Sequence, residues 1–219
     1  MKFKTLKYMF SVLLSIIAII CIAIFIYIRN KNTKNQVQLL SFADNIVNEN
    51  IVNNEQITTM PKSDKSQNIL KSQQEKNAEE KEQFFIEKIS QDNNILGKIK
   101  IPKIGVEAPI KEGTTTEILK QSVGHFSNTS YWNGNVALAS HNRGTYAHYF
   151  ENLNKLSLED EIIYQTKLGT RIYVVNEIYE IAENDVSVLN NSNENTITLI
   201  TCIKNKPNLR LCVKAIEKT

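Results

Sequence analysis

The side chains best suited to chemistry lie near the end of the chain, in two apolar segments separated by a short polar loop. Cys202 ends the first segment, and Arg210 opens the second. The first segment, Thr196 to Thr201, alternates threonine with isoleucine or leucine, which is typical of a half-buried β-strand. If the two segments pair as an antiparallel hairpin, the thiol and the guanidinium face each other. This matters because a thiol needs a nearby positive charge to become a thiolate at neutral pH.

A cysteine nucleophile also needs an acid–base partner, and the chain contains three histidines. His141 directly follows an apolar strand-like run, a rigid position from which a catalytic group can be held in place. His148 lies in a polar segment compatible with a helix, and His125 lies in a turn-rich stretch. We therefore predict Cys202 as the nucleophile, His141 as the acid–base group and Arg210 as the oxyanion clamp. His125 remains the alternative histidine.

The order of these residues resembles the sortase family, the cysteine transpeptidases that attach proteins to the Gram-positive cell wall. The resemblance rests on Gly134-Asn135 and the apolar run that ends in His141, on Thr-Leu-Ile-Thr-Cys at residues 198–202, and on Arg-Leu-Cys-Val-Lys-Ala at residues 210–215. It covers roughly residues 94–219.

The residues beside the histidine and the cysteine are the expected contacts for a bound peptide. We predict that Ala139, Ser140 and Thr201 form the substrate-binding part of the site.

The pattern of the residues also predicts the fold. Seven or eight short strand-like segments follow Ile95, with turn signals between them, which is typical of a closed or nearly closed β-barrel. A capping box formed by Thr114 and Glu117 predicts a short helix that ends at Ser122, and residues 146–156 are compatible with a second. The resemblance implies the same mostly β fold: a closed eight-stranded barrel with one or two short helices.

The resemblance also implies an activity. A member of this family cleaves an LPXTG-like sorting signal (Leu-Pro-x-Thr-Gly) of a surface protein between Thr and Gly. The resulting thioester is transferred to an amine of the peptidoglycan precursor, on lipid II or on a cross-bridge. We expect no cofactor. Some relatives bind calcium, and the acidic candidates here, Glu112, Glu117, Glu180 and Glu183, lack a recognisable ligand spacing.

The subclass is predicted from two absences. The sequence shows no second apolar segment at its C-terminus and no Asp-Pro-aromatic lid in the linker, features that pilin-assembling relatives often carry. This favours a housekeeping or class D-like enzyme.

Three other interpretations stay open. The same Cys–His pair could serve a peptidase or amidase with water as the acceptor, or the cysteine could be inert in a membrane-tethered binding module. Cys202 and Cys212 could also form a disulfide. In the predicted hairpin, however, Cys212 faces Ile200, and diagonal neighbours lie about 7–8 Å apart, too far for a comfortable bridge.

The N-terminal part predicts a membrane anchor and a spacer. Tyr8 to Ile28 carries no charge, is long enough to span a bilayer, and is followed by Arg29 rather than a cleavage site. We predict an uncleaved anchor over residues 1–29, with an external catalytic domain as the resemblance implies. Residues 30–93 are rich in Asn, Gln, Lys and Glu and predict a polar extracellular linker, partly helical around residues 73–89. Docking of residues 84–89 on the domain is the alternative to a solvated spacer.

The charge balance excludes one class of partner. The net charge is +3, but residues 94–219 carry 14 basic and 13 acidic side chains. A nucleic-acid binder usually carries a basic stripe, and none is present here. The predicted partners are therefore surface proteins, a cell-wall amine and the membrane.

Overall fold

The computed structural model describes residues 2–54, 94–144 and 147–218, and eight strands within residues 95–217 close into a β-barrel. The strands are β1 Ile95–Ile101, β2 Val106–Glu112, β3 Val123–His125, β4 Asn135–Ala139, β5 Glu161–Thr166, β6 Gly169–Ala182, β7 Thr196–Ile203 and β8 Lys206–Glu217. Their order around the barrel is β1-β2-β3-β4-β7-β8-β6-β5, and β5 pairs with β1. The predicted closed eight-stranded barrel is confirmed.

Two of the strand pairs are parallel, β2 with β3 and β4 with β7, and the others are antiparallel. The β4–β7 pair matters most for the site. Because parallel neighbours run in the same direction, the residues that follow both strands emerge at the same edge of the barrel.

Apolar side chains from every part of the barrel fill its interior. Ile99, Ile110, Leu138, Tyr164 and Leu199 are fully buried in one cluster. Burying a side chain of this size stabilises the fold by about 1.5–3 kcal/mol relative to leaving it exposed. The barrel interior is therefore filled with side chains, and accessible functional groups lie at the edges of the barrel.

Only one short α-helix, α2 at Thr116–Leu119, belongs to the described part of the barrel domain. The N-cap is Thr115, whose hydroxyl accepts a hydrogen bond from the Ile118 amide at 3.5 Å, so the capping box predicted at Thr114 is wrong by one residue. The predicted helix to Ser122 is also too long, because the helix ends at Leu119 with Lys120 as its C-cap.

The second predicted helix, at residues 146–156, does not form in the part that the structure describes. Residues 147–156 make successive turns, including the 3-10 turn Leu153–Lys155. The reason is tertiary: Phe150, Leu153 and Leu156 are buried against the barrel, and this contact overrides a weak helical preference. Two further 3-10 turns occur at Pro102–Ile104 and Ser187–Leu189.

Helix α1 runs without interruption from Lys2 to Asn54. Its apolar part is long and apolar enough to cross a membrane, and the large side chains from Leu13 to Ile28 are exposed. An exposed apolar helix of this length is consistent with membrane anchoring. The predicted boundary at residue 29 is not a helix end, since α1 continues into the predicted linker.

The end of α1 packs on the barrel. Leu39, Ala43 and Ile46 lie on one face of the helix and contact Ile95, at the start of β1. Beside them, Lys98 donates hydrogen bonds to Asp44 of the helix and to Glu107 of β2. The beginning of the predicted solvated spacer is therefore a helix docked on the barrel. The predicted helical region at residues 73–89 and the docking of residues 84–89 lie outside the described residues.

Lys98 is held in this contact as a cation. Burial lowers the pKa of its ammonium group, but the carboxylates of Asp44 and Glu107 outweigh burial and raise that pKa above its ordinary value. The contact between α1 and the barrel thus combines an apolar patch with a buried charge that needs its partners.

Candidate active site

The parallel pairing of β4 and β7 sets the level of the candidate histidine and cysteine. Ala139 pairs with Ile200, and the Ser140 amide continues the ladder with a hydrogen bond to the Ile200 carbonyl at 3.4 Å. His141 therefore follows β4 at the same level at which Cys202 stands on β7. Two residues 61 positions apart in the sequence are brought to one edge by strand register alone.

The hairpin of β7 and β8 determines the position of the third candidate residue, Arg210. Cys202 and Arg210 are direct partners across the hairpin, and Ile200 pairs with Cys212, as the sequence predicts. The sequence predicts a polar loop over residues 204–208 between the two apolar segments, and this prediction is wrong in length. The turn contains only Lys204 and Asn205, and β8 already begins at Lys206. Asn205 adopts a φ of 62°, a left-handed conformation that asparagine tolerates better than most residues.

All six predicted site residues line one groove of about 300 Å³. His141, Cys202 and Arg210 lie on it together with Ala139, Ser140 and Thr201. Its remaining wall is largely apolar, from Leu119, Phe126, Ile181, Val186, Leu189 and Ile200, and also includes the polar residues Thr114, Glu183 and Asp185. We call this cavity the apolar groove. Its largely apolar lining suits a peptide with apolar side chains.

Two hydroxyl groups of the apolar groove differ in their hydrogen bonding. Thr201 donates to the Ser140 carbonyl at 2.8 Å, which links β7 to the end of β4. The Ser140 hydroxyl is buried and has no hydrogen-bond partner among the described residues. Because an unpaired buried hydroxyl is unfavourable, Ser140 is the better candidate of the two for a hydrogen bond to a bound ligand.

The Arg210 guanidinium is fixed by three contacts. Its Nη1 donates to the carbonyls of Pro207 at 2.7 Å and Leu209 at 2.9 Å, and its Nη2 donates to the Glu183 carboxylate at 3.0 Å. Glu183 follows β6 and also lines the apolar groove. Sequence reasoning noted Glu183 only as an acidic loop residue, because nothing local connects it to Arg210.

The connection between β6 and β7 forms one wall of the apolar groove, and Asn135 holds it. The Asn135 side-chain amide donates to the carbonyls of Val188 at 2.9 Å and Asn190 at 3.0 Å, and its oxygen accepts from the Thr198 hydroxyl at 2.8 Å. The asparagine of the Gly134-Asn135 pair thus acts as a buried clamp. The pair was recognisable in the sequence, but this contact was not.

A further asparagine ties the histidine segment to the cysteine strand. The Asn142 side-chain amide donates to the carbonyl of Cys202. On the other side, the Phe150 amide donates to the His141 carbonyl at 3.2 Å. The backbone on both sides of the candidate pair is therefore held by hydrogen bonds.

His125 occupies a different environment from His141. It ends β3 instead of lying in a turn, and its side chain is fully buried. Its Nδ1 lies 2.8 Å from a Glu112 carboxylate oxygen, and its Nε2 lies 3.0 Å from the Ser130 carbonyl. Both ring nitrogens are engaged, and the ring packs on Tyr131. His125 does not line the apolar groove.

The pKa of Glu112 reflects this contact. Burial raises the pKa of its carboxyl group, but hydrogen bonds from His125, Ser127 and Tyr131 outweigh burial, so the pKa lies below its ordinary value. The fully buried His125 thus forms a hydrogen-bonded pair with the half-buried Glu112.

The remaining titratable candidates lie away from the apolar groove. His148 is about half-exposed and pairs with Glu151 at 3.3 Å. Cys202 and Cys212 are both free thiols. Cys212 is fully buried, and burial raises the pKa of its thiol, which makes it a poor nucleophile.

The acidic residues considered for calcium are mostly engaged with basic side chains. Glu112 contacts His125, Glu180 contacts Lys206 at 2.7 Å, and Glu183 contacts Arg210. Within the described ranges, no three acidic, histidine or cysteine side chains converge as metal ligands.

Cys202 also lines a second, larger cavity of about 690 Å³. Its walls come from the connection between β4 and β5 and from the β7–β8 turn, and they are rich in polar residues: Asn142, Arg143, Glu151, Asn152, Asn154, Lys155, Glu180 and Lys204. We call this cavity the polar groove. Cys202 thus lines both the apolar groove and the polar groove.

Comparison with known proteins places this geometry in a family. The sortase domain family matches residues 99–218, which is more than half of the chain. Sortase A of Bacillus anthracis is 29% identical over 122 residues, covering 55% of this chain and 58% of that protein. Sortase D of Bacillus subtilis is 30% identical over 109 residues, covering 48% and 53%. The chain thus spans a little over half the length of these relatives.

Solved structures agree with the fold. Sortase C1 from Streptococcus agalactiae superimposes with a TM-score of 0.55 at 25% identity, covering 58% of this chain and 69% of that chain. Sortase C from Clostridium perfringens SM101 gives a TM-score of 0.51 at 27% identity, covering 57% and 70%. The relatives carry three class names, so the subclass stays a prediction. The barrel, the order of the histidine, cysteine and arginine positions and the family match lead to one conclusion: the chain belongs to the sortase family.

Proposed function

We propose that the protein is a membrane-anchored cysteine transpeptidase. In this proposal it cleaves an LPXTG-like sorting signal between Thr and Gly and transfers the surface protein to an amine of the peptidoglycan precursor. The observation that carries the proposal is the shared edge of β4, β7 and β8, where His141 stands level with Cys202 and Arg210 pairs with Cys202. A nucleophile, a proton carrier and a fixed cation at one cleft are what acyl transfer needs.

The reaction begins with acylation. The Cys202 thiolate attacks the carbonyl carbon of the scissile Thr–Gly bond, and a tetrahedral oxyanion forms. Arg210 stabilises this oxyanion, for which it must exchange one of its present contacts. His141, starting as imidazolium, donates its proton to the departing glycine amine as the C–N bond breaks. The Cys202 thioester and a neutral His141 remain.

The second half of the reaction reverses these roles. An incoming amine attacks the thioester carbonyl carbon, and its proton passes to His141. The new amide bond forms as the C–S bond breaks, and Cys202 leaves as the thiolate. The enzyme thus returns to its starting protonation without a cofactor.

The apolar groove supports a peptide donor of this kind. The apolar wall suits the Leu-Pro part of the signal, and the unpaired Ser140 hydroxyl is available for a backbone group of the peptide. Ala139 and Thr201 would shape the groove beside the scissile bond. Helix α1 would anchor the enzyme by a single span, with the barrel outside the membrane.

The test is a reaction of the full-length protein in detergent with a Leu-Pro-x-Thr-Gly peptide library, with and without triglycine. The expected result is a thioester on Cys202, seen by mass spectrometry of the intact protein, and a ligated product only when triglycine is present. Cys202→Ala is the inactive control. Formation of the hydrolysed peptide, with a free carboxylate, even at high triglycine concentration would identify a hydrolase. An enzyme that forms no thioester with any peptide would contradict the proposal.

A further inference from the structure

A third cavity lies between helix α1 and the barrel, and its volume is about 260 Å³. The helix contributes Arg29, Asn32, Thr33 and Gln36, and the connection between β4 and β5 contributes residues 147–149. We call this cavity the anchor cleft. It shares no lining residue with either groove beside Cys202, so it is a separate site.

The helical rise sets the level of the anchor cleft in a membrane. Residues 8–28 carry no charge, and Arg29 follows them directly. Asn32 lies about 6 Å beyond Ile28 along the helix axis, because each helical residue adds about 1.5 Å. The headgroup layer on each side of the hydrocarbon core is about 5–8 Å thick. The helix side of the cleft therefore lies at the level of the lipid phosphates.

The lining of the anchor cleft suits an anion. It contains the Arg29 guanidinium, and no carboxylate lines it among residues 2–54, 94–144 and 147–218. Arg29 is exposed, and none of the ion pairs within these ranges involves it. The acidic side chain that contacts the lining is Glu151, which pairs with His148 at 3.3 Å. The cleft therefore presents an unpaired cation at the headgroup level.

The amide group of Asn32 is a second, independent sign of a ligand. Its side-chain nitrogen is buried and has no hydrogen-bond partner among the described residues. An unpaired buried donor is unfavourable. A rotation of the side chain would bring this nitrogen to the cleft that Asn32 lines, where a phosphate oxygen could accept its hydrogen bond. Binding of an anion would thus relieve an unfavourable feature of the free protein.

The barrel side of the anchor cleft is held in place by backbone hydrogen bonds. The Ala147 amide donates to the Lys120 carbonyl at 3.1 Å, and the Phe150 amide donates to the His141 carbonyl at 3.2 Å. On the helix side, the apolar contact of α1 with Ile95 holds the helix on the barrel farther along its axis. Both walls of the cleft are therefore in position before a ligand binds.

We propose that the anchor cleft binds the phosphate of an anionic membrane lipid, such as phosphatidylglycerol, and so holds the barrel against the membrane surface. Arg29 would pair with the phosphate, Asn32 would donate a hydrogen bond to it, and His148 would contact it from the barrel side. A zwitterionic lipid would bring its own cation close to Arg29, which is unfavourable. The inference depends on the anchoring of α1 in a membrane and not on the transfer reaction.

The test measures lipid binding to the full-length protein in detergent by native mass spectrometry. Phosphatidylglycerol and phosphatidylcholine with identical acyl chains are titrated separately. We expect phosphatidylglycerol to bind about tenfold more tightly at low salt. Asn32→Asp replaces the donor with a carboxylate of the same shape, and Arg29→Gln removes the cation. Each variant should bring the affinities for the two lipids close together.

Two variants on other faces of α1 are matched controls. Asn35→Asp adds the same charge as Asn32→Asp, and Lys34→Gln removes the same charge as Arg29→Gln, at nearly the same height on the helix. Both control residues are exposed, and neither lines the anchor cleft. Both control variants should keep the wild-type preference for phosphatidylglycerol.

Three results would overturn the inference. One is equal affinity of the wild-type protein for the two lipids. Another is a preference that survives in both Asn32→Asp and Arg29→Gln, which would place the lipid elsewhere. The third is an equal loss in the control variants, which would show that the net charge of the helix attracts the lipid. Thioester formation on Cys202, measured separately with a donor peptide, tests the proposed function alone.

Discussion

The barrel holds two histidine centres on neighbouring strands, and they differ in almost every physical property. His125 is enclosed, and both of its ring nitrogens have fixed partners in Glu112 and Ser130. His141 stands at an open strand end and lines the apolar groove beside Cys202 and Arg210. A ring whose nitrogens are both engaged cannot carry a proton between reactants. Whether a histidine is suited to proton transfer therefore depends on the partners of its ring nitrogens.

The two cysteines of the β7–β8 hairpin repeat this contrast. Cys202 is half-buried between two grooves, whereas Cys212 points into the protein and is fully buried. Both thiols belong to the same sheet, ten residues apart. The open edge of the barrel leaves one thiol accessible, and the interior encloses the other.

The largest expected effect comes from replacing the cysteines, one at a time, with alanine. Cys202→Ala should abolish turnover, because no other group can form the thioester, whereas Cys212→Ala should remain active. Iodoacetamide should label Cys202 in the wild type and leave Cys212 unlabelled until the protein is unfolded. Comparable turnover in Cys202→Ala would end its assignment as the nucleophile.

Replacement of the histidines sharpens the first comparison. His141→Ala should lower kcat/KM by about 10²–10⁴-fold, the usual contribution of a general acid–base group. His148→Ala, at an exposed site, should change it little. His125→Ala should lower the melting temperature, since it removes one of the hydrogen-bond partners of the half-buried Glu112, but the folded fraction should keep its activity. A dead His125→Ala that is fully folded, beside an active His141→Ala, would show that the wrong histidine has been chosen.

Replacement of Arg210 separates charge from geometry at the open edge. Arg210→Lys keeps a positive charge near the thiol but loses the planar fork that can hold two oxygens at once. We expect it to retain much of the iodoacetamide labelling rate of Cys202 while losing about 10²–10³ in turnover, the usual effect of removing one oxyanion donor. Arg210→Ala should lose at least as much. Near wild-type turnover with lysine would mean that Arg210 acts only as a local charge.

The smallest expected effect is on stability and concerns the enclosed centre. The fold lowers the pKa of Glu112, so its ionised form stabilises the protein above the ordinary carboxyl pKa of about 4.3. This stability is lost as the pH falls through the lowered pKa. Glu112→Gln should therefore cost about 1–3 kcal/mol at pH 7, and the difference should shrink toward pH 3. Urea denaturation of both proteins at each pH measures it. Glu117→Gln, an exposed carboxylate in the first turn of α2, is the control, and an equal loss there would contradict the prediction.

The sequence by itself determined the features that depend on residues close together in the chain. The Thr–Ile/Leu alternation before Cys202 predicted β7, and the predicted hairpin placed Arg210 opposite Cys202, although in the structure a register shift between Cys202 and Ile203 produces that pairing. The uncharged run of residues 8–28 predicted a long apolar helix. The short strands with turn signals between them predicted the barrel. Each of these features follows from residues that are close together in the sequence, and each is present in the structure.

The tertiary structure decided whatever depends on contacts between distant residues. The β4–β7 register that brings His141 level with Cys202, and the pairs Glu112–His125, Arg210–Glu183 and Lys98–Asp44, join segments with no local sequence signal of their partner. The same holds for the docking of α1, which the polar composition of residues 30–54 argued against. It holds too for the short helix at residues 146–156, which gave way to the burial of Phe150, Leu153 and Leu156. The physical reason is that packing energy from distant side chains exceeds the small conformational preferences that a single sequence displays.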